Sequence, residues 1–385
     1  MKIERSVWIG SSSDTVAANT LGWRCTTPAK INLFLEVLGK RPDGYHNLDT
    51  VMLAIDLTDT LEIYPTHSDA LTMQLDLSEA QAVGKEELAK VDRTWQIPTH
   101  GASATGNLVL RALEALRREL DSRAKSPAST ASTAGRGAHV ILKKRIPSQA
   151  GLGGGSSDAA AALILGSLLW HQTYDPTLLG VLASKLGSDI NFFLEGHNGR
   201  NWTARCTRRG EIVQPVTNRY QVHGLIVHPP AGCSTSQVFS RVGDRIADRT
   251  QALSPDALLE CLSHSPEDPN HAAQLARLLY NRLDVAAVQT TEWVERAARR
   301  IDRYNSFGQC LSGSGSARFC LCRDRPQAET MAMELRREGE FRAYPFSVWT
   351  SPSIADQVAL AEQASHCGVR SSRDIQADST IQRTE

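Results

Sequence analysis

Residues 146–160 read Ile-Pro-Ser-Gln-Ala-Gly-Leu-Gly-Gly-Gly-Ser-Ser-Asp-Ala-Ala, with four glycines between Gly151 and Gly155. Glycines this dense let a backbone turn its amides inward without Cβ clashes. An alanine-rich helix beginning near Ser156 would point its first amides and its positive dipole end into the same concavity, which suits the oxygens of a phosphate group. No Gly-Lys-Ser or Gly-Lys-Thr follows, so this is not a Walker loop, and Ser156 stands where a dinucleotide fingerprint needs its third glycine. A glycine-rich corner that merely joins a strand to a helix would use the same residues.

Three further segments carry groups that do chemistry. In Thr27-Pro-Ala-Lys-Ile-Asn-Leu-Phe-Leu-Glu-Val-Leu-Gly39 a period of two puts Ile31, Leu33, Leu35 and Val37 on one side of a strand, leaving Lys30 and Asn32 together on the other. That polar face is offered either to a ligand or to water. Downstream, the turn Arg41-Pro-Asp-Gly-Tyr-His-Asn-Leu48 presents Tyr45 and His46, which suit stacking on and hydrogen bonding to a flat base as readily as core capping and surface exposure. In Leu186-Gly-Ser-Asp-Ile-Asn-Phe-Phe-Leu194, Gly187 ends a short helix and leaves Asp189 at the entry to the next element, as a helix cap or as a free carboxylate. A late stretch, Leu311-Ser-Gly-Ser-Gly-Ser-Ala-Arg-Phe319, reads as a β-turn or as a second loop approaching the first.

The elements that must position these groups alternate along the chain. Strands are predicted at Ile31 to Gly39, Asp49 to Ile55, Thr60 to Tyr64, Ala138 to Lys143, Gln221 to Val227 and Arg318 to Leu321. Asp49 to Tyr64 reads as a meander. Helices are predicted at Asn107 to Leu120, Ser156 to Trp170, near Leu275 to Leu283 and at Thr290 to Tyr304. This is an α+β pattern, and 385 residues suit two domains with additions: an N-terminal extension over 1–21, a nucleotide-binding domain over 22–201, a second domain over 202–353 and a tail over 354–385. Ser122 to Gly137 reads as a flexible loop tip, and the tail after Cys367 as disordered.

Composition narrows the function. With 42 Lys plus Arg against 42 Asp plus Glu, no global field draws the chain to nucleic acid or an anionic membrane, so any nucleotide is held at a local site. The eight cysteines are scattered without paired zinc spacings, which reads as reduced thiols in a cytoplasmic protein. No apolar run approaches a membrane span, and residues 1–21 lack the apolar region of a secretory signal.

Taken together, the Pro28-Ala-Lys-Ile-Asn32 strand, the Pro147 to Gly155 loop and the late glycine turn resemble the GHMP kinase superfamily of galactokinase, homoserine kinase, mevalonate kinase and phosphomevalonate kinase, over roughly residues 25–350. Within it, Lys40 to Leu48, the triple glycine before Ser156-Ser-Asp158, and Leu186 to Phe193 are similar to the branch that phosphorylates 4-diphosphocytidyl-2-C-methyl-D-erythritol in the non-mevalonate route to isoprenoid precursors. The resemblance implies a two-domain GHMP kinase fold, with a ferredoxin-like second domain and the site in the cleft between the two. ATP and Mg²⁺ would be used, with no direct metal ligand assigned. Lys30 and Asp189 would be catalytic, with Asp189 the base; Asn32, Tyr45, His46 and Thr235 would bind the acceptor. Pro147, Ala150, Gly151, Leu152, Gly153, Gly154, Gly155, Ser156 and Ser157 would bind ATP. The partner would be a small molecule, with no nucleic acid or membrane, and the chain a monomer or weak homodimer. Three departures stand out. Asn191 replaces a usual proline, expected to loosen the loop holding Asp189; Arg209 replaces a usual glycine; and Ser68 to His100 is longer than typical. Two alternatives remain: another GHMP small-molecule kinase, acting on mevalonate, homoserine or a sugar, or a non-catalytic nucleotide-binding protein on the same scaffold.

Overall fold

The computed structural model describes residues 1–9, 16–78, 106–124, 136–171, 173–198, 201–246, 253–264 and 271–361. Most of the Ser122 to Gly137 loop, the Ser68 to His100 insertion beyond Ser78 and the tail after Cys367 lie outside the described residues.

The first sheet begins at the N-terminus. β1 (Lys2–Val7) pairs antiparallel with β2 (Leu21–Lys40) from Lys2↔Thr26 to Val7↔Leu21. The arm read as an extension is therefore part of the folded body, with Met1 fully buried and Gln357 holding both Ile3 N and Met1 O. β3 (His46–Pro65) pairs antiparallel with β2 along most of its 20 residues, and the expected meander is one strand. It continues through the polar Asp56 to Asp59 stretch because those carboxylates find partners: Asp56 pairs with Arg325, and Asp59 accepts from Ile146 N at 2.8 Å. β4 (Leu71–Asp76), β5 (Ala138–Lys143), β6 (His197–Asn198), β7 (Asn201–Arg208) and β8 (Ile212–Pro215) extend this sheet, with β5 and β7 both bonded to β3.

Register irregularities shape the site. Shifts at Pro28/Ala29 and Asn32/Phe34 change which face each stretch of β2 presents. Ile31 and Leu33 point into one buried cluster while Lys30 and Asn32 share the other face, as their spacing predicts; beyond the second shift, however, Leu35 rotates to the Lys30 side, against the simple alternation. Both faces of β2 are covered, so Lys30 and Asn32 are buried rather than solvated.

Helices cover the face that carries Lys30. α1 (Leu108–Ala124) buries Val109, Leu113, Leu116 and Leu120 against α2 (Gly154–Trp170), where a Cβ at Gly166 would lie 2.9 Å from Leu113 Cδ2. In α2, Ala159 to Leu165 are wholly buried, the small residues permitting close approach on every side. α3 (Pro176–Leu186) starts at Asp175, whose side chain accepts from Leu178 N at 3.0 Å, and ends at Gly187; α4 (Ile190–Glu195) follows.

The second sheet contains β9 (His223–His228), β11 (Gly308–Leu311), β12 (Arg318–Cys322) and β13 (Arg342–Ser347), antiparallel in the order β11-β12-β9-β13. Between β9 and β11 run α5 (Thr235–Ile246), α6 (Asp256–Ser263), α7 (His271–Arg277), α8 (Asp284–Thr290) and α9 (Glu292–Ile301); α10 (Arg325–Glu338) joins β12 to β13. Four strands in this order with helices on one face form the ferredoxin-like arrangement. The helix expected near Leu275 to Leu283 breaks: β10 (Tyr280–Asn281) pairs parallel with Phe34 and Leu35 of β2, a tertiary pairing that overrides local helical spacing. Leu33 and Ile31 of β2 share one apolar cluster with Ile226, Phe319 and Phe346, so the two sheets are joined by a common core.

Candidate active site

The glycine loop wraps the N-terminus of α2. Gln149, Gly151 and Gly153 have φ of 53°, 76° and 70°. Gly153 caps α2 without any side-chain cap, so the first amides of the helix are left for a ligand. Two of the glycines are demanded by neighbours. A Cβ at Gly151 would fall 1.9 Å from Ser312 O, and one at Gly153 would fall 2.9 Å from Lys30 Cγ. The late turn Ser312 to Ala317 seals against the loop, Ser312 Oγ donating to Gly151 O at 2.9 Å and Ala317 N to Ala150 O at 3.2 Å. Lys30 N donates to Leu152 O at 2.9 Å, fixing the loop to β2.

Clefts open on both sides of this loop. The smaller, about 350 Å³, is lined by Pro147, Ala150 and each residue from Gly151 to Ser156. The larger, about 740 Å³, takes in Lys30, Asn32, Tyr45, His46, Asp189 and Thr235. Gly151, Gly153 and Ser156 line both. Of the predicted phosphate-side residues, Ser157 alone lines neither: it is fully buried, and its Oγ faces no protein partner. Below the smaller cleft Lys144 bonds to Asp59 and, at 2.8 Å, to Asp158, while Thr27 Oγ1 donates to the other oxygen of Asp158 at 2.9 Å. Burial opposes the Lys144 charge, but Asp158 and Asp59 outweigh it and hold its pKa up. Burial pushes the Asp59 carboxyl above the usual carboxylate range despite that cation.

The residues predicted to be catalytic, Lys30 and Asp189, meet in the larger cleft beside the loop. Lys30 Nζ stands 3.3 Å from Asp189 Oδ2 and donates to Asn32 Oδ1 at 2.7 Å. Asn32 Nδ2 donates to Thr50 Oγ1 at 2.8 Å, and that hydroxyl donates to Phe34 O at 2.6 Å, so the lysine is oriented from behind by a closed chain. Asp189 occupies the cap position of α4, yet its side chain makes no cap bond there. Its carboxylate is 28% exposed while the Lys30 side chain is 4% exposed, so a buried cation faces a reachable base. Asn191, expected to loosen this loop, instead ties it: its Nδ2 donates to Ser184 Oγ at 2.9 Å and to Glu211 O at 3.0 Å. Two side-chain hydrogen bonds replace the stiffness a proline would supply.

The far end of the larger cleft is aromatic. His46 stacks on Phe239 with centroids 5.0 Å apart and planes 29° from parallel. Burial, with the Lys40 charge adding, lowers the pKa of His46, which keeps its ring neutral at pH 7; its Nε2 has no protein partner. Thr235 Oγ1 lies 2.9 Å from Ser314 Oγ, linking α5 to the late turn. Arg209 reaches over the Tyr45 ring, its guanidinium carbon 4.9 Å from the centroid. Phe239, Ser314 and Lys144 were missed by the sequence reading. Phe239 is legible as the residue four after Thr235 on an amphipathic helix, hence on the same face. Ser314 and Lys144 carry no such signal beyond lying in a glycine turn and a basic cluster.

A phosphate loop, a lysine and carboxylate at its edge and a two-sheet α+β body define a GHMP-type small-molecule kinase, and the family model described as the GHMP kinases N terminal domain matches residues 107–197. A 4-diphosphocytidyl-2-C-methyl-D-erythritol kinase from Pelotomaculum thermopropionicum is 33% identical over 312 residues, covering 81% of this chain and 93% of the relative. The protein of the same name from Nocardia farcinica is 35% identical over 319 residues, covering 82% and 90%. The chain belongs to the 4-diphosphocytidyl-2-C-methyl-D-erythritol kinase family. A crystal structure of a 4-(cytidine 5'-diphospho)-2C-methyl-D-erythritol kinase superposes with a TM-score of 0.61 at 29% identity, covering 85% of this chain and all of that one.

Proposed function

We propose that the chain transfers the γ-phosphoryl group of ATP to the 2-hydroxyl of 4-diphosphocytidyl-2-C-methyl-D-erythritol, with Asp189 as the base and Lys30 as its partner. The observation that carries this reading is the meeting of two clefts at the Lys30–Asp189 pair, 3.3 Å apart. ATP occupies the smaller cleft, its phosphates on the amides from Gly151 to Ser156. The acceptor occupies the larger one, its base between the Tyr45 turn and the His46–Phe239 stack.

Phosphoryl transfer usually passes through a loose transition state, so alignment and charge stabilisation are the protein's main tasks. Asn32 and Thr50 hold Lys30; Lys30 pairs with Asp189 and offsets charge building on the transferred group. Asp189 accepts the hydroxyl proton as the oxygen attacks. Ser314 and Thr235 close the acceptor side, and the neutral imidazole of His46 offers its unpartnered nitrogen to the base. Among the described residues no three His, Cys, Asp or Glu side chains gather as a metal site, and Asp158 is taken up by Lys144 and Thr27. An ion held chiefly by nucleotide phosphates and water needs only one or two protein oxygens, and Ser156, which lines both clefts, would provide one. Mg²⁺ so bound would neutralise charge on the phosphates. No helix among the described residues is long and apolar enough to cross a membrane, which fits a cytoplasmic enzyme of this kind.

ADP release in the presence of Mg²⁺ and ATP tests the reading. Turnover is expected with 4-diphosphocytidyl-2-C-methyl-D-erythritol and not with mevalonate, homoserine or galactose. Turnover with one of the others instead would remove the base-recognition role from Tyr45 and His46, and none at all would leave a nucleotide-binding protein.

A further inference from the structure

Two of the three departures noted in the sequence, Asn191 and Arg209, meet in space. Arg209 sits in the turn between β7 and β8, where Arg208 and Gly210 take φ of 61° and 115°. Glu211 Oε2 accepts from Arg209 N at 2.7 Å, and Ser184 O accepts from the Arg209 guanidinium at 3.0 Å. Asn191 bonds to the same two residues, through Ser184 Oγ and Glu211 O. Three hydrogen bonds thus join the end of α3, the start of α4 and this turn, and the fourth, Arg209 N to Glu211, closes the turn itself. The turn also abuts the base: a Cβ at Gly210 would sit 3.7 Å from Asp189 Oδ1.

Across the cleft, Tyr45 is 54% exposed, an unusual degree for an aromatic ring that must receive a ligand in one attitude. Its backbone is set, Arg41 N donating to Tyr45 O at 2.7 Å and Tyr45 N to Asp43 Oδ1 at 3.2 Å. The ring itself is met by the Arg209 guanidinium, 4.9 Å from its centroid, and a planar cation on one face of a phenol ring leaves the other face for a flat base.

We propose that Arg209 is a positioning residue for acceptor recognition: it clamps the Tyr45 ring in the attitude that receives the base, and the Asn191–Ser184–Glu211 bonds hold Arg209 there. The inference rests on the acceptor reading of the larger cleft. The clamp acts before binding, by removing freedom that Tyr45 would otherwise lose on meeting its ligand. Its influence therefore falls on acceptor affinity and spares the chemical step.

The test uses the full chain with the substitutions Arg209→Met, Arg209→Gln, Tyr45→Ala and the Tyr45→Ala, Arg209→Met pair, titrated calorimetrically with cytidine 5'-diphosphate and assayed for turnover. Either Arg209 substitution is expected to weaken the diphosphate and raise acceptor KM about tenfold, with kcat and ATP KM within about twofold. On the Tyr45→Ala background, Arg209→Met is expected to add no more than about twofold, because the ring it acts through is gone. A full further tenfold loss in the double variant would overturn the proposal, since Arg209 would then act without Tyr45. Unchanged binding in both Arg209 variants, with Tyr45→Ala weakened, would overturn it while leaving the acceptor reading intact. Unchanged binding in Tyr45→Ala would sink the acceptor reading and this inference with it.

Discussion

The two clefts that meet at Lys30 and Asp189 are built on opposite plans. The smaller cleft, proposed for the nucleotide, is mostly main chain: contiguous residues 147–156, largely small or glycine, clamped by contacts to Ser312, Ala317 and Lys30, with Leu142, Lys144 and Asp158 also on its wall. The larger cleft, proposed for the acceptor, is mostly side chain, assembled from β2, the turn at 41–46, the α4 entry, the turn at 208–211, α5 and the late glycine turn. Main-chain recognition has no alternative positions to move into, so it is brittle to a single methyl group. Side-chain recognition is distributed, so each contact contributes an increment that can be removed separately.

The largest difference should come from Gly151→Ala. Its φ of 76° disfavours any Cβ, and that Cβ would meet Ser312 O at 1.9 Å, backbone that cannot rotate away. Strain of about 1–3 kcal/mol, roughly 5- to 150-fold in ATP binding, is expected, visible as a raised ATP KM and a lowered melting temperature. An ATP KM unchanged within twofold would show the loop to be pliable. On the other side, Phe239→Ala removes one face of the His46 stack while leaving the cleft walls standing. Acceptor KM should rise about tenfold, the scale of one aromatic contact, with ATP KM unmoved. Equal effects on both substrates would mean the two sides do not act separately.

This contrast explains what could be read in advance. The shape of the glycine loop was legible because it lies in local composition, and α1 and α2 because their apolar spacing is long and regular. Lys30, Asn32 and Asp189 were legible by pattern. The burial of Lys30 and Asn32 was not, because it depends on register shifts in β2 and on the helices that cover it. The N-terminal arm read as an addition because a six-residue strand has little signature until Leu21 to Thr26 is known to lie beside it. Likewise, Tyr280 and Asn281 leave a helical pattern only because Phe34 and Leu35 offer a pairing edge. The Asn191 tether required knowing that Ser184 and Glu211 come within reach.

A smaller effect should separate the site from the scaffold. His228 in β9 is wholly buried without a protein partner for either ring nitrogen, and burial, with the Arg342 charge adding, pushes its pKa down to about 3. The unfolded chain binds that proton near pH 6.5, so the stability His228 contributes is present above that pH and is lost as pH falls towards about 3. Between pH 7 and pH 5 the loss is about 2 kcal/mol at most. Urea unfolding should show His228→Leu with a correspondingly flatter pH dependence than the parent; equal slopes would mean His228 is protonated in the fold. The acid-sensitive point would then lie in the second sheet, apart from both halves of the cleft.

The most direct measurement is kcat for Asp189→Asn, with ATP and acceptor dissociation constants measured separately. Asparagine keeps the size of the side chain and a hydrogen-bond acceptor for the buried Lys30, so binding should stay within a few fold while kcat falls about 10²–10⁴-fold. A kcat within tenfold of the parent, both ligands bound, would contradict the assignment of Asp189 as the base and require the hydroxyl proton to leave by another route.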